Sequence, residues 1–377
     1  MHIGFDAKRA FNNKRGLGNY SRNLIEGMVR YYPDNEYTLY GKQTDIELFP
    51  TWMNIVKDNI KIKQPVHSNK ISQIYWRSYG VNRNIREDHP DIYHGLSHEI
   101  PGGKKIGNTK YIVTVHDLLI YRIKELFNPI DRNIYASKIK YSCKKADLIL
   151  SVSQQTKDDL INYLNIPEEK IVVAYQSCHT IYYKKTDDVF KQSVKEKYHL
   201  PDEYLLYVGA LIKHKNVKLI VQSLSILPSD MKIPLVIVGA GKNYKKELMQ
   251  EIISLKLTDR VIFLNYVQDC DMPAVYQSAK IFVWPSFFEG FGIPLLEAMY
   301  SHVPVITTKG GCFSEVGGDA ACYVNPKSKD ELAGAIENIL TDDQLYKDMQ
   351  RKGDKQAIKF HLKNTTEKMN QIYSLFI

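Results

Sequence analysis

Long apolar runs are missing from this 377-residue chain. None approaches the ~18 consecutive apolar residues of a membrane-spanning helix, and the opening Met1-His2-Ile3-Gly4-Phe5-Asp6 reads into a strand, not into a secretion signal. Cysteine is scarce: Cys143, Cys178, Cys270, Cys312 and Cys322 are odd in number and widely spread, with no Cys-x-x-Cys pair. That argues against a disulfide framework and a zinc cluster, and suits a reducing cytoplasm. The P-loop pattern of nucleotide hydrolases is absent as well. Gly16-Leu-Gly18-Asn-Tyr-Ser21 and Gly239-Ala-Gly241-Lys-Asn-Tyr244 each lack the third glycine of a dinucleotide fingerprint, which disfavours a nicotinamide-dependent oxidoreductase. No basic run with interleaved aromatics marks a nucleic-acid surface.

What is there has the composition of an ordinary enzyme, 44% hydrophobic and 25% charged. A chain this long exceeds one comfortable core, so two domains are expected. Net charge is +9, and +7 of it falls in residues 1–190. A basic first half suits a solvated surface or peripheral contact with an anionic membrane face.

Short apolar runs alternate with amphipathic stretches twice over. In the first half, strands are expected near residues 2–7, 36–40, 91–95, 111–116, 148–153 and 171–176, with helices near 19–32, 71–85, 131–146 and 154–165. The second half repeats the rhythm, with strands near 204–210, 234–239, 261–266, 281–286, 304–308 and 321–325. Helices near 216–227, 243–257, 272–279, 294–302 and 328–340 lie between those strands. Strands alternating with helices predict βαβ units and parallel sheets, hence an α/β chain of two facing Rossmann-like domains. The polar stretch from Cys178 to Pro201 has little periodicity and is read as the boundary, with domains at 1–185 and 186–359. Residues 342–376 read as a long helical tail. Ligands in such sheets bind beyond the carboxyl ends of the strands, which places the active site in the interdomain cleft.

The most informative string is Pro285-Ser-Phe-Phe-Glu289-Gly290-Phe291-Gly292-Ile293-Pro294-Leu-Leu-Glu297-Ala-Met299. A strand runs into a glycine-rich turn, and Pro294 stands where a helix would begin. Amides at such a helix start suit a phosphate or a sugar hydroxyl. Glu289 and Glu297, eight positions apart, are both able to accept from vicinal hydroxyls of a ribose or hexose. An acidic helix start explains either glutamate alone; the whole string favours function. Lys215 precedes a helix opened by Asn216, read as its N-cap, and is placed to neutralise a diphosphate. In the first half, Lys14-Arg15-Gly16-Leu17-Gly18 follows strand one, while His116 in Thr114-Val-His-Asp117 and His94 in Tyr93-His-Gly95 each end a strand. His94 reads equally well as a satisfied core histidine.

The Glu289-to-Glu297 string resembles the signature of the family-four retaining glycosyltransferases, and the likeness spans nearly the whole chain. Tyr207-Val-Gly209-Ala-Leu-Ile-Lys213-His214-Lys215-Asn216, Val261 to Val267, Val275 to Ala279 and Val303 to Ala321 resemble its other segments in order and spacing. The resemblance implies the GT-B fold, with the donor on the second domain and a C-terminal helix, about residues 360–377, crossing back to the acceptor-side first domain. It implies that His116, Glu289 and Lys215 are catalytic. For donor binding it implies Gly16, Gly18, Gly209, His214, Gly290, Phe291, Gly292, Ile293 and Glu297. The family usually carries Arg where His214 stands, so a protonated His214 would grip phosphate only singly and would favour donor binding at acidic pH. The implied reaction retains anomeric configuration, either through a carboxylate nucleophile and a covalent intermediate or by front-face attack as the nucleotide leaves; the second is favoured because the acidic pair is committed to hydroxyls, and no cofactor is expected. No paired acidic metal site is identified, so the nucleotide is expected to leave without an ion. GDP-mannose is the expected donor, and the acceptor is a glycan or lipid-linked glycan of a surface polysaccharide. A nucleotide-sugar epimerase on the same fold and a non-catalytic nucleotide-sugar-binding protein are the alternatives.

Overall fold

The computed structural model describes residues 1–43, 60–66 and 69–376. It divides into two compact units, Met1–Ser177 with His361–Ile377, and Cys178–Phe360.

In the first unit seven strands are described: β1 (His2–Asp6), β2 (Glu36–Tyr40), β3 (Ile60–Lys63), β4 (Ile92–Gly95), β5 (Lys110–Val115), β6 (Leu148–Ser151) and β7 (Ile171–Val173). They pair in the order β3-β2-β1-β4-β5-β6-β7, every pair parallel. The second unit holds β8 (Leu205–Val208), β9 (Leu235–Val238), β10 (Val261–Leu264), β11 (Ile281–Trp284), β12 (Val305–Thr308) and β13 (Ala321–Val324). Their order is β10-β9-β8-β11-β12-β13, again all parallel. The central strands are continuous apolar runs because helices cover both faces; β9, β11 and β12 are buried at every residue. Each sheet reverses its strand order once, between β1 and β4 and between β8 and β11. Parallel sheets bind ligands beyond such switch points.

The helices begin where their caps dictate. Asn128 accepts from the amide of Ile130 ahead of Pro129–Lys145, which has proline in its first turn and lysines in its last. Ser153 caps Gln154–Leu164, and Ser328 with Glu331 opens Lys329–Thr341.

Several elements depart from the sequence reading. β3 is an edge strand whose Ile-Lys-Ile-Lys alternation is too short to register as a strand signal. The stretch read as an aperiodic boundary contains the helix Asp188–Tyr198, capped by Asp187 and charge-matched at both ends. Only Val194 of it is buried, so it carries almost no apolar periodicity. The helix expected near 71–85 is three segments, Lys70–Tyr75, a π-helical turn Trp76–Gly80, and Val81–Asp88. The long tail is two helices, Asp343–Ile358 and Leu362–Ser374, the second belonging to the first unit. It packs on Gly16–Tyr31 at Gly27, where a Cβ would lie 2.1 Å from Thr366 Oγ1.

Candidate active site

In the second unit the loops after β8 and β11 meet at the switch point. Gly209 follows β8, and a Cβ there would press on Tyr207 Oη at 2.8 Å; a Cβ at Gly239 would lie 1.9 Å from Gly209 O. These glycines let the loops after β8 and β9 touch. Next come the short turn Lys213–Lys215 and Asn216, whose φ of 57° suits asparagine. Asn216 is not the side-chain cap expected of it. Its Nδ2 donates to Pro285 O (3.1 Å) and Pro326 O (2.7 Å), tying the Lys215 loop to the end of β11. Phe287 N donates to His214 O at 2.8 Å and makes a second tie.

Lys215 Nζ forms an ion pair with Glu289 Oε1, with side chains only 15% and 12% exposed. The same ammonium stands 4.6 Å from the Trp284 ring centroid. Trp284 was not singled out from the sequence, yet it is central here. It ends β11 and is buried. A Cβ at Gly209 would come within 3.5 Å of its Nε1, and a Cβ at Gly292 within 3.6 Å of its six-membered ring. Trp284 Nε1 and Ser286 Oγ are buried without a partner among the described residues. A strand-ending tryptophan between two glycine loops is the pattern that could have flagged it.

Gly292, at φ 123°, turns the chain into the helix Ile293–Tyr300, where Pro294 fits and no side chain caps the amides. Gly290 precedes this turn, and Glu289 O accepts from Cys312 Sγ at 3.3 Å. Phe291 and Ile293 are both buried, Phe291 edge-on to Phe360 at 5.8 Å. Glu297 occupies different surroundings from Glu289. It is buried, accepts from Tyr276 Oη at 2.8 Å, and lies near Tyr182 and Cys178. Burial pushes its carboxyl up to about 7, against the pull of the Tyr276 hydrogen bond. A solvated helix-start glutamate would not behave so.

The first unit carries the remaining residues. Gly16 and Gly18 lie inside the first turn of Gly16–Tyr31, earlier than the expected helix start. Gly18 is required by its own chain, since a Cβ would overlap Asn13 O at 1.7 Å, whereas Gly16 faces open space. Arg22 fixes this loop by donating to Ala10 O (3.0 Å), Asn13 O (2.8 Å) and Asn19 Oδ1 (2.6 Å).

His116 follows β5 and is buried. Leu96 O, 2.8 Å from Nε2, can only accept, so the proton is on Nε2. Nδ1 therefore accepts from Gln176 Nε2 at 3.2 Å. Tyr20 stands edge-on at 4.7 Å and His98 at 5.3 Å. Burial first, then His98, pushes the His116 imidazole down to about 3. With both nitrogens engaged inside the first unit, the ring is held as a neutral, fixed group. His94 is a satisfied core histidine, bonded to Tyr373 Oη at 2.7 Å and Thr114 Oγ1 at 2.8 Å.

The chain also contains an Asp-x-Asp triplet that the sequence reading passed over, Asp269-Cys270-Asp271. Asp271 is committed to Lys197 Nζ and Tyr198 Oη, each at 2.7 Å. All five cysteines are free thiols.

Comparison with known proteins agrees with this architecture. Residues 14–180 match the family described as Glycosyltransferase Family 4, and residues 188–356 the family described as Glycosyl transferases group 1. The O-antigen chain mannosyltransferase B of Escherichia coli is 32% identical over 376 residues, 96% of this chain and 96% of its own. The O-antigen chain mannosyltransferase RfbU of Salmonella typhimurium is 33% identical over 247 residues, 62% of this chain and 66% of its own. Among solved structures, HepE of Anabaena in complex with UDP and glucose matches with a TM-score of 0.73 at 17% identity, covering 100% of both chains. The chain is thus a glycosyltransferase of the GT-B fold and belongs to glycosyltransferase family 4.

Proposed function

We propose that the protein transfers mannose from GDP-mannose to a glycan or lipid-linked glycan acceptor in surface-polysaccharide synthesis, with retention and without a metal. The mannose assignment follows the names of the relatives. The observation that carries the chemistry is Lys215, seated between Glu289 and Trp284 beside a helix start that no side chain caps.

In this reading the acceptor oxygen attacks the anomeric carbon from the face the nucleotide leaves. The bond from that carbon to the diphosphate oxygen breaks, and its electron pair goes to the diphosphate. The acceptor proton passes to the same oxygen, so no protein base is needed. Lys215, with His214 beside it, and the amides around Gly292 neutralise the departing charge. Glu289 accepts from donor-sugar hydroxyls and Glu297 from the ribose diol. His116, both ring nitrogens bonded to Leu96 O and Gln176, serves as a neutral positioning residue within the first unit. The net charge of +7 in residues 1–190 supports peripheral contact with an anionic membrane.

A thermal-shift and calorimetry panel of GDP, UDP, ADP, TDP and their sugars, with and without EDTA, tests the reading. Stabilisation by GDP and GDP-mannose that EDTA leaves unchanged is the expected result. Stabilisation by another base alone, or only with a metal, overturns the donor or the metal-free mechanism.

A further inference from the structure

A cavity of about 480 Å³ opens in the first unit, lined by residues of that unit alone. Asp6, the last residue of β1, and the loop Glu99 to Gly103, which follows β4, both line it. It therefore lies at the switch point of the first sheet, where parallel sheets take ligands. Its size falls within the ~300–1,000 Å³ of small-molecule sites.

Two walls define it. One is the π-helical turn Trp76–Gly80, which brings Arg77, Ser78 and Tyr79 to the lining. Single π turns inside helices collect at functional sites. The other wall is the irregular loop after β4, yet its backbone is tied down. Ile100 N donates to Ser142 Oγ at 3.2 Å, and Gly102 N to Ser78 O at 2.6 Å. Lys145 Nζ donates to Pro101 O at 2.6 Å and Asn82 Nδ2 to Gly102 O at 2.8 Å. A wall so held is organised before any ligand arrives.

The chemistry of the lining narrows the ligand. Arg77 donates to Asp6 Oδ2 through Nε (2.9 Å) and Nη2 (2.6 Å), and to Glu99 Oε2 through Nη1 (2.8 Å). Lys138 Nζ stands 3.7 Å from the same Glu99 oxygen. These two cations and two carboxylates are the charged residues of the lining. The cavity is thus neutral inside a half-chain of charge +7. Both cations are already engaged by carboxylates, so a phosphate finds no waiting partner. Glu99 Oε1 and the hydroxyls of Ser78 and Ser137 have no partner among the described residues, and each can bond a sugar hydroxyl. Tyr79 and Tyr141, 54% and 43% exposed, supply rings for the apolar face of a pyranose. We propose that this cavity seats a neutral sugar residue of the acceptor glycan; the word acceptor rests on the transfer reading above, whereas the sugar site does not.

Saturation-transfer NMR and calorimetry on the full chain test it, with methyl α-mannoside, an α-linked mannobiose and mannose 6-phosphate as probes and GDP titrated separately. Wild type should bind the neutral sugars. Ser137→Trp, which fills the cavity from an exposed helix position, and the isosteric Glu99→Gln should each weaken them about tenfold or more. GDP affinity, placed on the second unit by the transfer reading, should stay within about twofold in both variants, and hydrogen exchange across β1, β4 and β5 should match wild type, which checks that the first unit is folded. Neutral sugars that fail to bind wild type, or that bind both variants as tightly as wild type, overturn the proposal. So does mannose 6-phosphate binding wild type about tenfold more tightly than methyl α-mannoside. Failure of GDP to bind wild type would overturn the donor reading and leave the sugar titrations to decide the cavity.

Discussion

The Lys215 ammonium lies 4.6 Å from the centroid of the Trp284 ring, on the side chain that ends β11. The central sheet of the second unit thereby fixes the position of a cation that its loop alone would leave to wander. A cation over an indole gains about 0.5–2 kcal/mol, more when desolvated. Trp284→Leu should therefore weaken GDP binding several-fold beyond Trp284→Phe, which keeps an aromatic face. Calorimetry on the two variants measures the difference; equal losses would remove the ring from the site.

Lys215 and Glu289 form one pair, so their substitutions should not add. Lys215→Ala or Glu289→Ala leaves a half-buried charge alone, at a cost on the order of 1–3 kcal/mol. The double variant Lys215→Met/Glu289→Gln should regain most of that stability and none of the transfer activity. Urea unfolding beside a turnover assay separates the two effects.

Glu297 makes the site sensitive to pH near neutrality. Its folded value of about 7 lies above the unfolded 4.5, so its contribution to stability is complete below 4.5 and is lost as pH rises through 7. The melting temperature should fall across that window, and Glu297→Gln should flatten the fall. Ribose hydroxyls donate best to the ionised carboxylate, so GDP affinity should rise across the same window in wild type. Calorimetry in buffers of different ionisation heat should then detect proton release on binding.

His94, His98 and His116 predict the opposite slope further to the acid side. Burial pushes each imidazole down to about 3, below the unfolded 6.5. Their contribution is present above 6.5 and is lost as pH falls through 3. Transfer in His116→Gln should drop about tenfold without losing a limb of the pH–rate profile between about pH 5 and 8. Loss of a limb there would instead assign His116 an acid–base role.

Tyr373 holds the C-terminal helix to the first unit through its 2.7 Å bond to His94 Nδ1. Tyr373→Phe leaves a buried ring nitrogen unpaired and should cost about 1–3 kcal/mol. Hydrogen exchange within Leu362–Ser374 should rise more than in β8 or β11. A uniform rise would mean that the bond serves global stability alone.

The alternation of apolar runs with amphipathic stretches determined the two parallel α/β sheets. Period and run length are local properties, and strands such as Leu235–Val238, buried at every residue, advertise themselves. The glycine-rich turn before Pro294 was equally legible, because only certain residues tolerate that backbone. Tertiary structure decided what no single segment states. Ile60–Lys63 became a strand through pairing with β2, and Asp188–Tyr198 a helix through its caps and end charges. Glu289 and Glu297, alike in sequence, separated into a half-buried ion pair and a buried carboxyl raised to about 7. His116 was recognisable as a strand-end histidine, but its neutral state depends on Leu96 and Gln176, twenty and sixty positions away. Sequence sets the local backbone; charge state and partnership arise from dehydration and from groups that only folding brings within reach.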